Sequence, residues 1–112
     1  MKEQIPTNIK HIKKIDEMKK INALEIHKKV SIDELYNKLD EEVKEIASAI
    51  LLNDIENLTE ELLDVMQVIK GIAYKFNIDL DANIEKHNKK LLSRGHKFIS
   101  SASFSNLTRS KK

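Results

Sequence analysis

The hydrophobic positions change rhythm along the chain. From the amino end they fall at Ile5, Ile9, Ile12, Ile15, Met18, Ile21 and Leu24, settling to a step of three after Ile9. On a helix of 3.6 residues per turn, a step of three loses roughly 60° per repeat. The stripe therefore slides round the surface. It predicts either one helix that meets several neighbours in turn or two short helices. Thr7 or Asn8 is placed to cap the start, with Pro6 as a stop before it.

A second rhythm opens at Ser31. Ser31-Ile32-Asp33-Glu34 has the form of a capping box, with Val30 and Leu35 flanking it as a hydrophobic staple. Apolar residues then recur at Ile32, Leu35, Leu39, Val43, Ile46 and Ile50, the period of an amphipathic helix. Asn53-Asp54 interrupts it, since both side chains compete for local backbone hydrogen bonds and favour turns and caps. A matching stripe follows at Leu58, Leu62, Val65, Ile69, Ile72 and Phe76. The prediction is an antiparallel hairpin of helices over about 31–52 and 54–76. Gly71 inside the second helix costs about 1 kcal/mol relative to Ala and marks a close helix approach. Asn77 to Asp81 makes the next turn. A last helix over about 80–94 turns Leu80, Ile84 and Leu91 inward, and Gly95 is a left-handed C-cap.

Composition supports the all-α reading. Of 112 residues, 40% are apolar and 34% charged, with two Gly and one Pro to make turns. That length is one domain with a modest core. The expected layout is a single all-α domain over 1–98, its motif-bearing core at 31–98, and a weakly ordered, basic, Ser-rich tail over 99–112. The hairpin is expected to extend to a four-helix arrangement. Net charge is +2, so no global field points to nucleic acid, and the lysines at both ends read as solvated faces. No apolar run approaches the roughly 20 residues of a membrane span. The absence of cysteine excludes a thiolate metal site and a cysteine nucleophile. With a start that lacks a signal peptide's apolar core, the expectation is a cytoplasmic protein.

Candidate chemistry lies in the two hairpin helices. Lys38-Leu39-Asp40-Glu41-Glu42-Val43-Lys44-Glu45 is echoed 19 residues later, so that Glu42 and Glu45 match Glu61 and Asp64. At 100° per residue, Glu42 and Glu61 lie roughly 60° to one side of their stripes, and Glu45 and Asp64 roughly 120°. In an antiparallel pair these equal offsets fall on the same side. Asn53 is midway between Glu42 and Asp64, and between Glu45 and Glu61. A tight turn there brings four carboxylates to one level beside the seam. Such charges repel, and a hard divalent cation, Mg²⁺ or Mn²⁺, resolves the conflict. The plain alternative is that both helices carry ordinary acidic flanks. Glu41 and Glu60 suit that alternative, since each points away from the stripe.

These residues resemble the all-α nucleoside triphosphate pyrophosphohydrolases: the MazG-like enzymes, with phosphoribosyl-ATP pyrophosphatase and the dimeric dUTPases as relatives. The pattern Glu-Glu-x-x-Glu, a spacer, then Glu-x-x-Asp is matched by Glu41-Glu42-Val43-Lys44-Glu45 and Glu61-Leu62-Leu63-Asp64. Lys90-Leu91-Leu92-Ser93-Arg94-Gly95 with Phe98 resembles the family's basic closing segment. Leu63 departs from the Gly that many relatives have before the Asp. The resemblance covers about residues 31–98, and residues 1–26 carry no matching motif.

The resemblance implies Mg²⁺-dependent hydrolysis of a (deoxy)nucleoside triphosphate to the monophosphate and pyrophosphate. Glu42, Glu45, Glu61 and Asp64 would hold the metal, with Glu45 as the group that polarises the attacking water. Lys38, Lys90 and Arg94 would bind phosphate; their bland roles are an i,i+4 partner for Glu42 and a solvated face. Self-association into a dimer or tetramer is expected to complete the nucleotide pocket. A helical nucleotide-sensing or protein-interaction module of the same fold is the alternative. Base and sugar specificity depends on pocket walls drawn from residues 1–30, the tail or a second subunit. His87 reads as a packed or interface histidine, and His11, His27 and His96 have no metal spacing.

Overall fold

The computed structural model describes residues 18–99. Among them it contains three α-helices, two 3-10 turns and no strand. In chain order these are a 3-10 turn at Glu25–Lys28, α1 at Ile32–Leu52, α2 at Ile55–Lys75, a 3-10 turn at Asp81–Asn83 and α3 at Ile84–Ser93. The chain divides into two compact units, one ending at Asp79 and the other beginning at Leu80. No helix among the described residues is long and apolar enough to cross a membrane.

The first unit is the helical hairpin. Ser31 starts α1, its Oγ accepting the Glu34 N–H at 3.1 Å. Asn53 ends α1 in the left-handed region at φ 54°, and the Asp54 N–H reaches back to Ala49 O at 3.0 Å. That pairing satisfies the last carbonyls of the helix, and a short polar side chain tolerates the backbone it needs. Asp54 then caps α2, its Oδ1 accepting the Asn57 N–H at 3.1 Å. Two residues thus stop one helix and start the next, which forces the pair antiparallel. The same closure recurs at Asn77 (φ 58°, Ile78 N–H to Ala73 O, 2.8 Å) and at Gly95 (φ 92°, His96 N–H to Leu91 O, 3.1 Å).

The seam between α1 and α2 is turned relative to the predicted stripes. The residues of α1 that are not exposed are Leu35, Leu39, Glu42, Ile46 and Ala49. On α2 the facing line runs through Leu58, Glu61, Val65, Val68 and Ile72. Both follow alternate steps of three and four, the spacing of a coiled-coil seam. Ile32, Val43, Ile50, Leu62, Ile69 and Phe76, expected inside, are exposed. Two helices alone cover only a narrow line on each, so an apolar stripe wider than that line spills onto an open face. The consequence is that Glu42 and Glu61 occupy core positions themselves.

Before α1 the rhythm of three does not continue as helix. After Met18 the chain turns at Lys19 and Lys20, runs without regular structure through Ile21–Leu24 and enters the first 3-10 turn. This stretch lies along α2. The Gln67 amide nitrogen donates to Asn22 O. Lys75 Nζ donates to Lys28 O at 3.4 Å. Ile5, Ile9, Ile12 and Ile15, the cap at Thr7 or Asn8, and the tail beyond Ile99 lie outside the described residues.

In the second unit α3 is shorter than expected, its first turn being the 3-10 turn at Asp81–Asn83. Leu80 and Leu91 are half-buried as predicted, whereas Ile84 is exposed.

Candidate metal centre

Antiparallel pairing about Asn53 brings the acidic residues of α1 and α2 together at mid-height. Carboxylate oxygens of Glu42, Glu61 and Asp64 lie within 4.8 Å of one another, and those of Glu41, Glu42 and Glu45 form a second such group. Glu42 belongs to both, and a side-chain hydrogen bond joins Glu45 to Glu61. Glu42, Glu45, Glu61 and Asp64 therefore form one continuous cluster. Glu41 joins it although the helix arithmetic aims it outward. The reason is Lys38, whose Nζ sits 3.4 Å from Glu41 Oε1 and 3.3 Å from Glu42 Oε1 and draws both carboxylates to one point. Glu60 is exposed and belongs to neither group.

Glu42 is the critical member. Its side chain is 4% exposed. One oxygen meets Lys38; the other, Oε2, is buried and has no hydrogen-bond partner. A buried carboxylate oxygen without a donor is costly, and native proteins rarely leave one. Burial raises the Glu42 pKa above the ordinary value; contact with Lys38 opposes this, and the charges of Glu45 and Asp64 add to it. Glu61 is pushed up to about 7. Its hydrogen bond with Glu45 is the main cause, followed by burial and by the charges of Glu45, Glu42 and Asp64. The Lys38 pKa is raised by the same pairing, chiefly through its hydrogen bond to Glu42. One ammonium does not balance this many carboxylates, so a proton is retained in the cluster near neutral pH. An all-oxygen donor set with an unmet buried oxygen fits a hard divalent cation, which would take the place of that proton.

Beside the cluster lies a pocket of about 430 Å³. Glu42, Asp64 and Lys38 line it together with Leu35 and Val68 of the hairpin and with Leu24, Ile26, His27 and Val30 from the segment before α1. That volume lies within the range of small-molecule sites. Of residues 1–30, one of the expected sources of a pocket wall, Leu24, Ile26, His27 and Val30 line this pocket. Lys38, expected to bind phosphate, lines the same pocket as Glu42 and Asp64. Lys90 on α3 and Arg94 at its C-cap are exposed residues of the second unit.

Sequence reasoning missed His27 and Gln67. His27 is 5% exposed, and its Nδ1 accepts the Leu24 N–H at 2.8 Å. Its ring lies on Gly71: a β-carbon there would stand 2.7 Å from His27 Nε2. The close approach that Gly71 signals is therefore to a histidine ring of the preceding segment. Asp64, Val68, Gly71 and Lys75 recur at steps of four and three along α2. That row, with its glycine, was the available sign that something besides α1 packs here.

A family model described as phosphoribosyl-ATP pyrophosphohydrolase matches residues 10–90. The match takes in all the clustered carboxylates and Lys38, and reaches back through the segment that walls the pocket. No curated protein and no solved structure shows significant similarity to the chain.

Proposed function

The chain belongs to the phosphoribosyl-ATP pyrophosphohydrolase family, and on that premise we propose that it hydrolyses a (deoxy)nucleoside triphosphate to the monophosphate and pyrophosphate. The family supports nucleotide pyrophosphohydrolase activity; the substrate and the metal are our reading. The observation that carries it is the buried, unpartnered Oε2 of Glu42 within 4.8 Å of Glu61 and Asp64 oxygens.

Glu42, Glu45, Glu61 and Asp64 would hold Mg²⁺, with Mn²⁺ as a substitute. When bound, the ion would neutralise phosphate charge and acidify a bound water. The residues supply the rest. Glu45 faces Glu61 across the hydrogen bond and is less buried, so it is suited to take the proton of the water that attacks the α-phosphorus. The bond from the α-phosphorus to the bridging oxygen breaks, and pyrophosphate leaves with the electron pair. Lys38 stands at the rim of the cluster with its side chain half exposed, placed to meet phosphate oxygens without leaving Glu42. The pocket beside the carboxylates would take the nucleoside.

Self-association is part of the proposal. The open apolar face of the hairpin, with Val43, Ile50, Leu62 and Ile69 exposed, suits a second copy that would build a four-helix arrangement. Light scattering of the purified protein should give a dimer or tetramer.

A panel of nucleoside triphosphates, deoxynucleoside triphosphates and phosphoribosyl-ATP, assayed for pyrophosphate release with Mg²⁺ or Mn²⁺, tests the activity. Release from at least one substrate is expected, with loss in Glu61→Gln at unchanged helicity. Metal- and nucleotide-dependent stabilisation without release from any substrate would replace hydrolysis by nucleotide sensing.

A further inference from the structure

The segment Asn22–Val30 runs along α2 as a strap, and its fastenings are unlike those of an ordinary loop. At one end the Gln67 amide donates to Asn22 O, and at the other Lys75 Nζ donates to Lys28 O at 3.4 Å. Between them is His27, buried to 5% exposure. Its Nδ1 accepts the Leu24 N–H at 2.8 Å, which closes the strap on itself. Burial first, then the charge of Lys75, holds the His27 pKa below the ordinary imidazole value, so the ring is neutral and Nδ1 is available to accept. The ring is seated on Gly71, where any β-carbon would meet it at 2.7 Å. A buried histidine facing a helical glycine sets one depth for the strap.

That depth matters because the strap is a wall of the pocket. Leu24, Ile26 and Val30 line it together with Leu35 and Val68, and Glu42 and Asp64 belong to the same lining. Leu24 and Ile26 are large apolar residues left exposed, and both are among the pocket's lining residues. Apart from the His27 imidazole its lining carries no aromatic ring, so a flat base would be held mainly by aliphatic contact.

Resting on the pyrophosphohydrolase reading above, we infer that His27 is a positioning residue: by locking Asn22–Val30 onto Gly71 it sets the aliphatic slot that grips the nucleoside part of the substrate. His27 is not a member of the carboxylate cluster or of its pairing with Lys38. Its removal therefore weakens nucleotide binding and leaves the cation site in place.

The test compares wild type with His27→Ala, His27→Asn and Gly71→Ala. Asn places a side-chain acceptor where Nδ1 stands; Gly71→Ala pushes the ring out without altering the strap's own sequence. Mn²⁺ affinity is measured by calorimetry, and KM and kcat with the best substrate of the panel. We expect Mn²⁺ affinity within twofold of wild type throughout, KM raised tenfold or more in His27→Ala and Gly71→Ala with a smaller change in kcat, and most of the loss restored in His27→Asn. An unchanged KM in folded Gly71→Ala, or Mn²⁺ affinity falling in step with KM, overturns the inference. If wild type turns over no substrate, the hydrolase reading fails, and calorimetry of ATP with Mn²⁺ on the same variants decides this one. Tenfold weaker ATP binding in His27→Ala and Gly71→Ala then sustains it, and equal or absent ATP binding overturns it.

Discussion

Replacing Glu42 by leucine separates the cost of the carboxylate cluster from its use. In the metal-free protein, Glu42 Oε2 is buried without a donor. An unmet buried polar group destabilises a fold by about 1–3 kcal/mol. Glu42→Leu removes it and places an apolar side chain of similar length at a seam position between Leu39 and Ile46. It also removes the ion pair with Lys38, whose side chain is 51% exposed. A pair screened to that degree contributes at most about 1 kcal/mol. The net expectation is a metal-free protein more stable by about 1 kcal/mol. For a domain of this length that raises Tm by about 3–6 °C. The assay is a thermal melt followed by circular dichroism, in EDTA and again in Mn²⁺. Wild type should gain stability from Mn²⁺ and the variant should not, so the order of the two melting points narrows or reverses when metal is added. A variant destabilised in EDTA by 1 kcal/mol or more, or one that keeps the full Mn²⁺ shift, would show that Glu42 is an ordinary satisfied core residue.

Three further outcomes follow from named groups. Glu61 holds its proton up to about pH 7 in the folded protein and loses it near 4.5 when unfolded, so metal-free stability falls as pH rises between those values. It is independent of Glu61 below them, and the penalty is complete above about 7; melts across that range should flatten in Glu61→Gln. Because the cation displaces this proton, apparent Mn²⁺ affinity measured by calorimetry should improve by about tenfold per pH unit below 7 and level off above it. At the hairpin turn, Asn53 at φ 54° should accept Gly with little change, whereas Asn53→Ile should lose about 1–2 kcal/mol in urea unfolding.

The hairpin was legible because its punctuation is local. Ser31, Asn53 and Asp54 act on backbone groups within five residues of themselves, and their bonds are those the residue types call for. The carboxylate cluster was legible for a similar reason: equal offsets on two helices joined by a two-residue turn leave little freedom in where the side chains meet. The face of each helix that forms the seam was less legible. Val43 and Leu62 are as apolar as Ile46 and Val65, and periodicity alone does not tell a line that meets the partner helix from one beside it. Glu42 and Glu61 at core positions mislead a reading that assigns charged residues to flanks, because nothing local announces that a buried acid is wanted. The strap was least legible. Its structure rests on contacts from Asn22 to Gln67, His27 to Gly71 and Lys28 to Lys75, and pairings so distant in sequence carry no periodic signal.

Calorimetric titration of Mn²⁺ into the EDTA-stripped protein at pH 7.5, beside Glu61→Gln and the exposed-residue control Glu60→Gln, bears most directly on the carboxylate cluster. Saturable binding in wild type and Glu60→Gln, lost in Glu61→Gln, is the expected result. Heats that do not saturate in wild type, or a Glu61→Gln variant that binds as wild type does, would reduce Glu42, Glu45, Glu61 and Asp64 to an acidic flank with no ion to hold.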